Sequence, residues 1–310
     1  MDNFKIDDRV AFARREDECE FLFRSCGPFW HLCTPGTAQE ILFSQPEDYR
    51  VGITSPAIAL DEKVAEYAIA VMSNHLHDVL AGLRDDCLAF FWRRRKRIEN
   101  YFRYALGRHV DLRGFEPELI PIESLAALRK EIVYVNRNGY VSHPAYTPFS
   151  YPWSSGMYYF NPAAKQLARP YGTLPYESRR RLTRSRIQEL PDDYEVKDGM
   201  IHIPSFVRID EGEAFFRDAH QYFSMLSRNA EAYSEVAKRL GDKVFLTDDE
   251  LFSAVCSLAV REYGQLRPTA LAPNDKIVVA VKMKQQYNAS NGQIRRMLGL
   301  DDRIVKELFP

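Results

Sequence analysis

The sequence predicts an α+β protein: an antiparallel sheet packed with helices, followed by a mostly α-helical C-terminal region. Two patterns support this prediction. Short segments rich in β-branched and aromatic residues alternate with longer segments of helical periodicity up to about residue 138, and mostly helical patterns follow. Hydrophobic residues make up 45% of the 310 positions, which is enough for a substantial core. A chain of this length is expected to form two domains or one large one.

The first half of the chain has a recognisable order of elements. Residues 1–25 are highly charged and indicate a leader or a short helix, and Pro35-Gly36 ends the first strand. The order strand, helix, strand, strand, helix, strand, helix is typical of a ferredoxin-like (RRM-like) fold. The predicted strands cover 29–34, 64–72, 75–80 and 116–122, and the predicted helices cover 46–60, 86–107 and 123–138.

The second half is predicted to be mainly helical. A long connection rich in Pro, Tyr and Gly spans 140–176, and a short strand-like stretch covers 200–209. We therefore divide the chain into a domain at 1–160 and a helical region at 161–310. Short helices at 274–287, 292–298 and 301–309 would leave Gln293, Arg295 and Arg296 exposed. They fit either a helix-turn-helix-like DNA-binding module at about 270–310 or a plain helical packing domain.

Composition excludes several classes of protein. The formal net charge is −1, so any nucleic-acid-binding surface must be local. Five cysteines without a CxxC pair argue against a disulfide framework and against a structural zinc site. No apolar stretch approaches the roughly 18 residues that span a bilayer, and the N-terminus lacks the layout of a signal peptide. We expect a cytoplasmic protein with no membrane partner.

The pair His75 and His77 is the first candidate site. Side chains alternate along a strand, so both imidazoles would lie on one face of the sheet, about 7 Å apart. Two imidazoles so placed can share one divalent metal ion. The alternative is a pair of structural histidines, and a bare His-x-His pattern favours that alternative.

Two further motifs follow the histidines in a recognisable order. Residues 67–77 read Tyr-Ala-Ile-Ala-Val-Met-Ser-Asn-His-Leu-His, residues 134–139 read Tyr-Val-Asn-Arg-Asn-Gly, and residues 151–155 read Tyr-Pro-Trp-Ser-Ser. Together they resemble the motifs of single-tyrosine HUH transposases, especially the REP-associated tyrosine transposase-like group. The resemblance covers about residues 28–160. Ser73 and Gly139 stand where that family usually has proline, and Asp78 stands where an apolar residue is usual.

The resemblance implies a metal-dependent enzyme that cuts and rejoins single-stranded or hairpin DNA. Tyr134 would be the catalytic nucleophile and would form a 5′-phosphotyrosine, while His75, His77 and Asn138 would bind Mg²⁺ or Mn²⁺. Tyr134 and Asn138 lie four residues apart, so a helix presents both on one side. No GxxxxGK[ST] phosphate loop is present, which agrees with rejoining that needs no nucleotide cofactor. The family resemblance allows both a monomer and a homodimer.

Basic clusters are the candidate DNA contacts, and a solvated helix face is their ordinary alternative. We expect three other histidines, His31, His109 and His143, to be structural or surface residues. Two other functions stay open: a domesticated DNA-binding regulator with this fold but no turnover, and an RNA-binding protein, although no RNP-type aromatic motif is present. The predicted DNA-binding residues are Arg93, Arg94, Arg95, Lys96, Arg97, Arg179, Arg180, Arg181, Arg295 and Arg296.

Overall fold

The central feature of the fold is one antiparallel sheet, seen in a computed structural model. Among the described residues, four strands form this sheet in the order β2-β3-β1-β4. The strands are β1 (Phe29–Cys33), β2 (Ala65–Val71), β3 (Leu76–Ala81) and β4 (Glu118–Ile122). The structure describes residues 13–36, 39, 41–142, 146–147, 149–166, 168–184, 190–227, 248–287 and 289–309; the prediction for residues 1–12 lies outside them.

Helices connect these strands in the predicted order. Helix α2 (Pro46–Ala59) follows β1, and helix α3 (Arg84–Asn100) follows β3, so the chain forms two interlocked β-α-β units. This is the arrangement of the ferredoxin-like fold, and the predicted α+β class is confirmed. A π-helical turn, Tyr101–Ala105, extends α3. The helices of this half are α1 (Glu16–Cys26), α2 (Pro46–Ala59), α3 (Arg84–Asn100) and α4 (Leu125–Ser142).

Two neighbouring residues of β3 show which helices cover each face of the sheet. The Asp78 carboxylate contacts Arg94 of α3, whereas the His77 ring contacts Tyr134 of α4. Successive side chains of a strand point to opposite faces. Helix α3 therefore covers one face, together with α2, which packs against it, and α4 covers the other.

Helix α4 extends past its predicted end at Asn138. The sequence predicts a helix over 123–138, and that end is wrong, since α4 continues through Gly139 to Ser142. A Cβ atom at Gly139 would lie 1.9 Å from Cδ1 of Tyr151. This glycine therefore makes room for a tyrosine ring against the helix.

The segment 151–155 covers the free edge of β2. The Val71 amide donates to the Trp153 carbonyl at 2.9 Å, and the Tyr151 hydroxyl donates to the Val71 carbonyl at 2.7 Å. The Ser155 hydroxyl accepts from the Ile69 amide at 3.0 Å. The Tyr-Pro-Trp-Ser-Ser motif thus pairs with an edge strand that would otherwise expose unpaired amides.

The first hydrophobic core continues well beyond the boundary expected near residue 160. Buried aromatic residues such as Tyr159, Phe215 and Tyr222 belong to the same core as the sheet, which reaches Leu226. Among the described residues, buried side chains up to Leu226 belong to the first core, and those from Leu251 onward belong to a second one, while the boundary near residue 160 stays a prediction. This later part contains β5 (Arg169–Pro170), α5 (Tyr176–Thr183), β6 (Glu195–Lys197), β7 (Met200–Ile201) and α6 (Ile209–Ala214).

A second core joins four C-terminal helices. The helices predicted at the C-terminus are confirmed to within two residues at each end. Gln293 was expected to be exposed, and that is wrong, because it is buried. Its side-chain oxygen accepts from the Ser290 amide and so caps the helix Asn291–Leu298 (α9). Within the described residues, no helix combines the length and apolarity needed to cross a membrane. The helices are α7 (Asp248–Tyr263), α8 (Pro273–Gln286), α9 (Asn291–Leu298) and α10 (Asp302–Leu308).

A buried charge network lies between the sheet and α3. The Arg94 guanidinium donates to both oxygens of Asp78, at 2.7 and 2.8 Å, and both side chains are fully buried. Glu66 is also fully buried beside them. Burial, followed by the nearby charge of Asp78, raises the pKa of Glu66 well above its ordinary value. Glu66 is therefore neutral and lies beside the Arg94–Asp78 ion pair.

Candidate metal and tyrosine site

Three of the residues singled out by their motifs lie together between the sheet and α4. The ring centres of His75 and His77 are 5.0 Å apart, and the two rings are perpendicular. The Tyr134 ring centre lies 5.4 Å from that of His77. His75 precedes β3, His77 lies within β3, and Tyr134 lies on α4. The fold therefore unites residues that are about sixty positions apart in sequence.

Several buried side-chain atoms in and next to this cluster have no hydrogen-bond partner. Nε2 of His75 and Nε2 of His77 have no hydrogen-bond partner in the described part of the chain. The same holds for both amide atoms of Asn138, which is fully buried one helical turn after Tyr134. Buried polar groups without partners are rare and costly. The three predicted metal ligands thus all carry such atoms; elsewhere in the described part of the chain, Gln39, Glu66 and His202 also have buried side-chain atoms without a hydrogen-bond partner.

A hydrogen bond from His75 to the preceding asparagine fixes its tautomer. The Asn74 side-chain amide donates both protons, to the Gly36 carbonyl at 2.7 Å and to the Gln39 carbonyl at 2.9 Å. Its oxygen therefore accepts from Nδ1 of His75, 2.9 Å away. This leaves the lone pair of His75 on Nε2.

A relay from Glu131 through His31 fixes the tautomer of His77. The Glu131 carboxylate lies 2.8 Å from Nδ1 of His31 and accepts its proton. Nε2 of His31 then accepts from Nδ1 of His77 at 3.0 Å. His77 is consequently protonated at Nδ1 and carries its lone pair on Nε2. A carboxylate–histidine arrangement of this kind is how proteins orient metal-ligating imidazoles.

Burial keeps both imidazoles in the form that binds metals. It lowers the pKa of His75 to about 4. It also lowers the pKa of His77 well below its ordinary value, aided by the neighbouring His75, His31 and Arg137. A neutral imidazole offers a lone pair, whereas a protonated one does not.

The chemistry of the donor set fits a divalent metal ion. Nε2 of His75 and Nε2 of His77 are bare imidazole nitrogens, and the Asn138 amide supplies an oxygen. We call these three groups the inner site. A mixed set of nitrogen and oxygen donors suits Mn²⁺, and Mg²⁺ prefers oxygen. An ion shared by His75 and His77 would account for their two unpartnered nitrogens, and Asn138 lies on the same side of α4 as Tyr134.

Tyr134 lies among groups that can handle charge and protons. Its ring lies 5.7 Å from the His31 ring, and the Arg137 guanidinium lies 5.2 Å over it. Tyr134 itself is half-buried, whereas Arg137 is largely buried.

The first predicted basic cluster does not form one DNA-binding face. Arg94 is fully buried against Asp78, so the prediction that it contacts DNA is wrong. Arg93 donates to the Ala59 carbonyl and pairs with Asp61, and Arg95 donates to the carbonyls of Phe115 and Leu112. Lys96 is exposed, and Arg97 is half-buried. Three of the five cations thus bind groups of the protein itself: Arg94 in the core, Arg95 half-buried, and Arg93 at the surface.

The second cluster lines an open groove of about 540 Å³ between α5 and the end of α3. Arg180 and Arg181 are exposed there beside Tyr104. Arg179 instead donates to the carbonyls of Leu174 and Gly172. Because α3 covers the face opposite α4, this groove lies across the sheet from the inner site. Two further predicted DNA-binding residues, Arg295 and Arg296, are exposed on α9.

Sequence reasoning missed two residues of this site, His31 and Glu131. A signal for His31 was available, since the ferredoxin-like order places β1 beside β3, and His31 pairs near His77 in register. Glu131 lies three positions before Tyr134 and so on the same side of α4. Two further histidines were predicted to be structural or surface residues: His109 is exposed, and His143 lies outside the described residues.

No family model matches this chain, and neither the curated proteins nor the solved structures contain a match.

Proposed function

We propose that this protein is a metal-dependent single-stranded DNA endonuclease and strand transferase that acts through Tyr134. One observation carries the proposal: Nε2 of His75, Nε2 of His77 and the Asn138 amide are buried without partners beside a half-buried tyrosine. Structural histidines in a core normally have both nitrogens satisfied. The resemblance to single-tyrosine HUH transposases supports the same assignment.

In the proposed reaction, Tyr134 attacks a backbone phosphate. A bond forms between the Tyr134 oxygen and phosphorus as the bond from phosphorus to the 3′ oxygen breaks. The phenol loses its proton, and the 3′ oxygen takes one up. The products are a 5′-phosphotyrosine and a free 3′-hydroxyl. The phosphotyrosine bond retains the energy of the broken phosphodiester, so a second 3′-hydroxyl can reverse the step on another strand.

The residues around Tyr134 prepare this step. His75, His77 and Asn138 would hold Mn²⁺ or Mg²⁺, and the bound ion would offset negative charge on the phosphate. The Arg137 guanidinium places a positive charge beside the Tyr134 ring. Asn74 and the Glu131–His31 relay keep the two ligand nitrogens bare.

The substrate proposed is single-stranded DNA that displays a hairpin. Arg180, Arg181, Arg295 and Arg296 are exposed, and phosphate contacts from such cations would fix position without reading sequence. Contacts of this kind make affinity strongly dependent on salt.

A covalent-trapping experiment tests the proposal. The protein is incubated with labelled single-stranded hairpin DNA and Mn²⁺ or Mg²⁺, and adducts are resolved under denaturing conditions. We expect a labelled adduct with the wild type and none with Tyr134→Phe. The matched control is Tyr104→Phe, which alters an exposed tyrosine in the groove across the sheet. An adduct that persists in Tyr134→Phe contradicts the assignment.

A second candidate function is a DNA-binding regulator that keeps the fold without turnover. The groove with Arg180, Arg181 and Tyr104 favours it, because this basic surface lies away from the inner site. Hairpin binding that is tight, indifferent to metal and unchanged in Tyr134→Phe, with no adduct, would favour the regulator over the nuclease.

A further inference from the structure

A second group of side chains that can bind a metal ion adjoins the inner site and shares His77 with it. Cys33 of β1 pairs with His77 of β3 across the sheet, and His31 lies two residues earlier on the same strand face. One donor atom from each of His31, Cys33 and His77 lies within 4.8 Å of the other two. Nε2 of His31 and Nδ1 of His77 are 3.0 Å apart.

This donor set has the chemistry of a zinc site. Zinc binds imidazole nitrogen at about 2.0–2.1 Å and thiolate sulfur at about 2.3 Å, so tetrahedral ligands lie about 3.3–3.6 Å apart. The 3.0 Å between the nitrogens of His31 and His77 is close to that spacing. A thiolate donor favours Zn²⁺ or Co²⁺ over the hard ions Mg²⁺ and Mn²⁺.

We propose that His31, Cys33 and His77 form a zinc-type metal site, here called the outer site, distinct from the inner site. Glu131 already accepts the Nδ1 proton of His31, which leaves Nε2 of His31 as a lone-pair donor. That is the orientation that a zinc-bound histidine with a carboxylate partner adopts. Three protein ligands leave a fourth position for water.

Binding at the outer site requires a balanced movement of protons. The ion takes the place of the proton between Nε2 of His31 and Nδ1 of His77. That proton moves to Nε2 of His77, and the Cys33 thiol releases its own proton to solvent when it becomes a thiolate. Cys33 is only half-buried, which gives the ion a route in.

The two sites exclude each other because they share one imidazole. A neutral His77 offers its lone pair at Nδ1 or at Nε2, never at both. An ion at the outer site therefore turns Nε2 of His77 into an N–H group and removes a ligand from the inner site. This consequence rests on the inner site of the proposed function, whereas the outer site itself does not.

Cobalt spectroscopy tests the outer site. Co²⁺ is titrated into the metal-free full-length protein, and the sulfur-to-cobalt charge-transfer absorption is recorded. We expect this band in the wild type, in Asn138→Ala and in Cys26→Ser, a control at another half-buried thiol. We expect no band in Cys33→Ser, because the band requires a thiolate ligand. Circular dichroism verifies that each variant is folded.

The absence of the band in the wild type would overturn the outer site, and so would its persistence in Cys33→Ser. Exclusion is tested separately by adding Zn²⁺ to the Mn²⁺-loaded protein and measuring free Mn²⁺ by paramagnetic resonance. We expect one equivalent of Zn²⁺ to release Mn²⁺ from the wild type, because both sites require His77. Simultaneous binding of both ions by the wild type would overturn exclusion. Neither measurement depends on DNA cleavage.

Discussion

Replacing Glu131 by glutamine perturbs the relay that orients His77. The carboxylate accepts from Nδ1 of His31 over 2.8 Å, and this contact determines which nitrogen of His77 carries the proton. A glutamine side chain can present either its oxygen or its amide group to His31. In the second case His31 is protonated at Nε2 and donates to His77, whose proton then lies on Nε2 and blocks the inner site.

The magnitude follows from the exposure of Glu131. Losing an outer partner of a metal ligand costs about 10–100-fold in metal affinity. One third of the Glu131 side chain is exposed (33%), and solvent screens its charge. We therefore expect the lower end of that range for Glu131→Gln. The Kd for Mn²⁺ should rise about tenfold, which corresponds to about 1.4 kcal/mol.

Isothermal titration of the metal-free protein with Mn²⁺ measures this change. The matched control is Glu123→Gln, the same substitution at an exposed position just before α4. Its Mn²⁺ affinity should equal that of the wild type. If Glu131→Gln binds Mn²⁺ within about twofold of the wild type, a change far below the tenfold expected of an outer partner, the relay does not control the inner site.

Three further predictions concern stability and DNA binding. Because a carboxyl with a raised folded-state pKa holds a proton that the unfolded chain releases, the contribution of Glu66 to stability should fall by up to about 1.4 kcal/mol per pH unit above the ordinary carboxyl range, whereas His75 and His77, whose pKa values are lowered, contribute a slope of opposite sign up to the ordinary histidine pKa. Glu66→Gln should remove the Glu66 contribution to the slope in urea unfolding at several pH values, and an unchanged slope contradicts it. Gly139→Ala should lower stability by about 1–3 kcal/mol by driving Cβ into Tyr151, whereas Gly292→Ala, which meets only a flexible side-chain end, should be nearly neutral; equal melting temperatures contradict this. Arg181→Gln should weaken single-stranded DNA binding. The slope of the logarithm of the binding constant against the logarithm of the salt concentration should fall by about one phosphate contact. An unchanged slope would show that DNA does not contact this groove.

The order of elements could be predicted from the sequence because local patterns determine it. β-branched residues at 64–72 and the periodicity at 123–138 identify a strand and a helix without knowledge of their partners. The end of α4 could not be predicted, because Gly139 serves a contact with Tyr151 that is distant in sequence. A glycine has the same local signature in both roles.

The site was only partly predictable for the same reason. His75, His77 and Tyr134 could be chosen from motifs, whereas the role of His31 depends on its pairing with β3. The burial of Arg94 likewise could not be predicted from its position in a run of basic residues. The relevant signal was an aspartate within an apolar strand, which requires a buried partner.

Covalent trapping most directly tests the claim that a tyrosine beside a metal site cuts DNA. Wild-type protein with Mn²⁺ and a labelled single-stranded hairpin should yield a denaturation-resistant adduct, and mass spectrometry should place it on Tyr134. His77→Ala should abolish the adduct because the inner site loses a ligand. An adduct located on another residue, or one that forms equally well in Tyr134→Phe, would contradict the account.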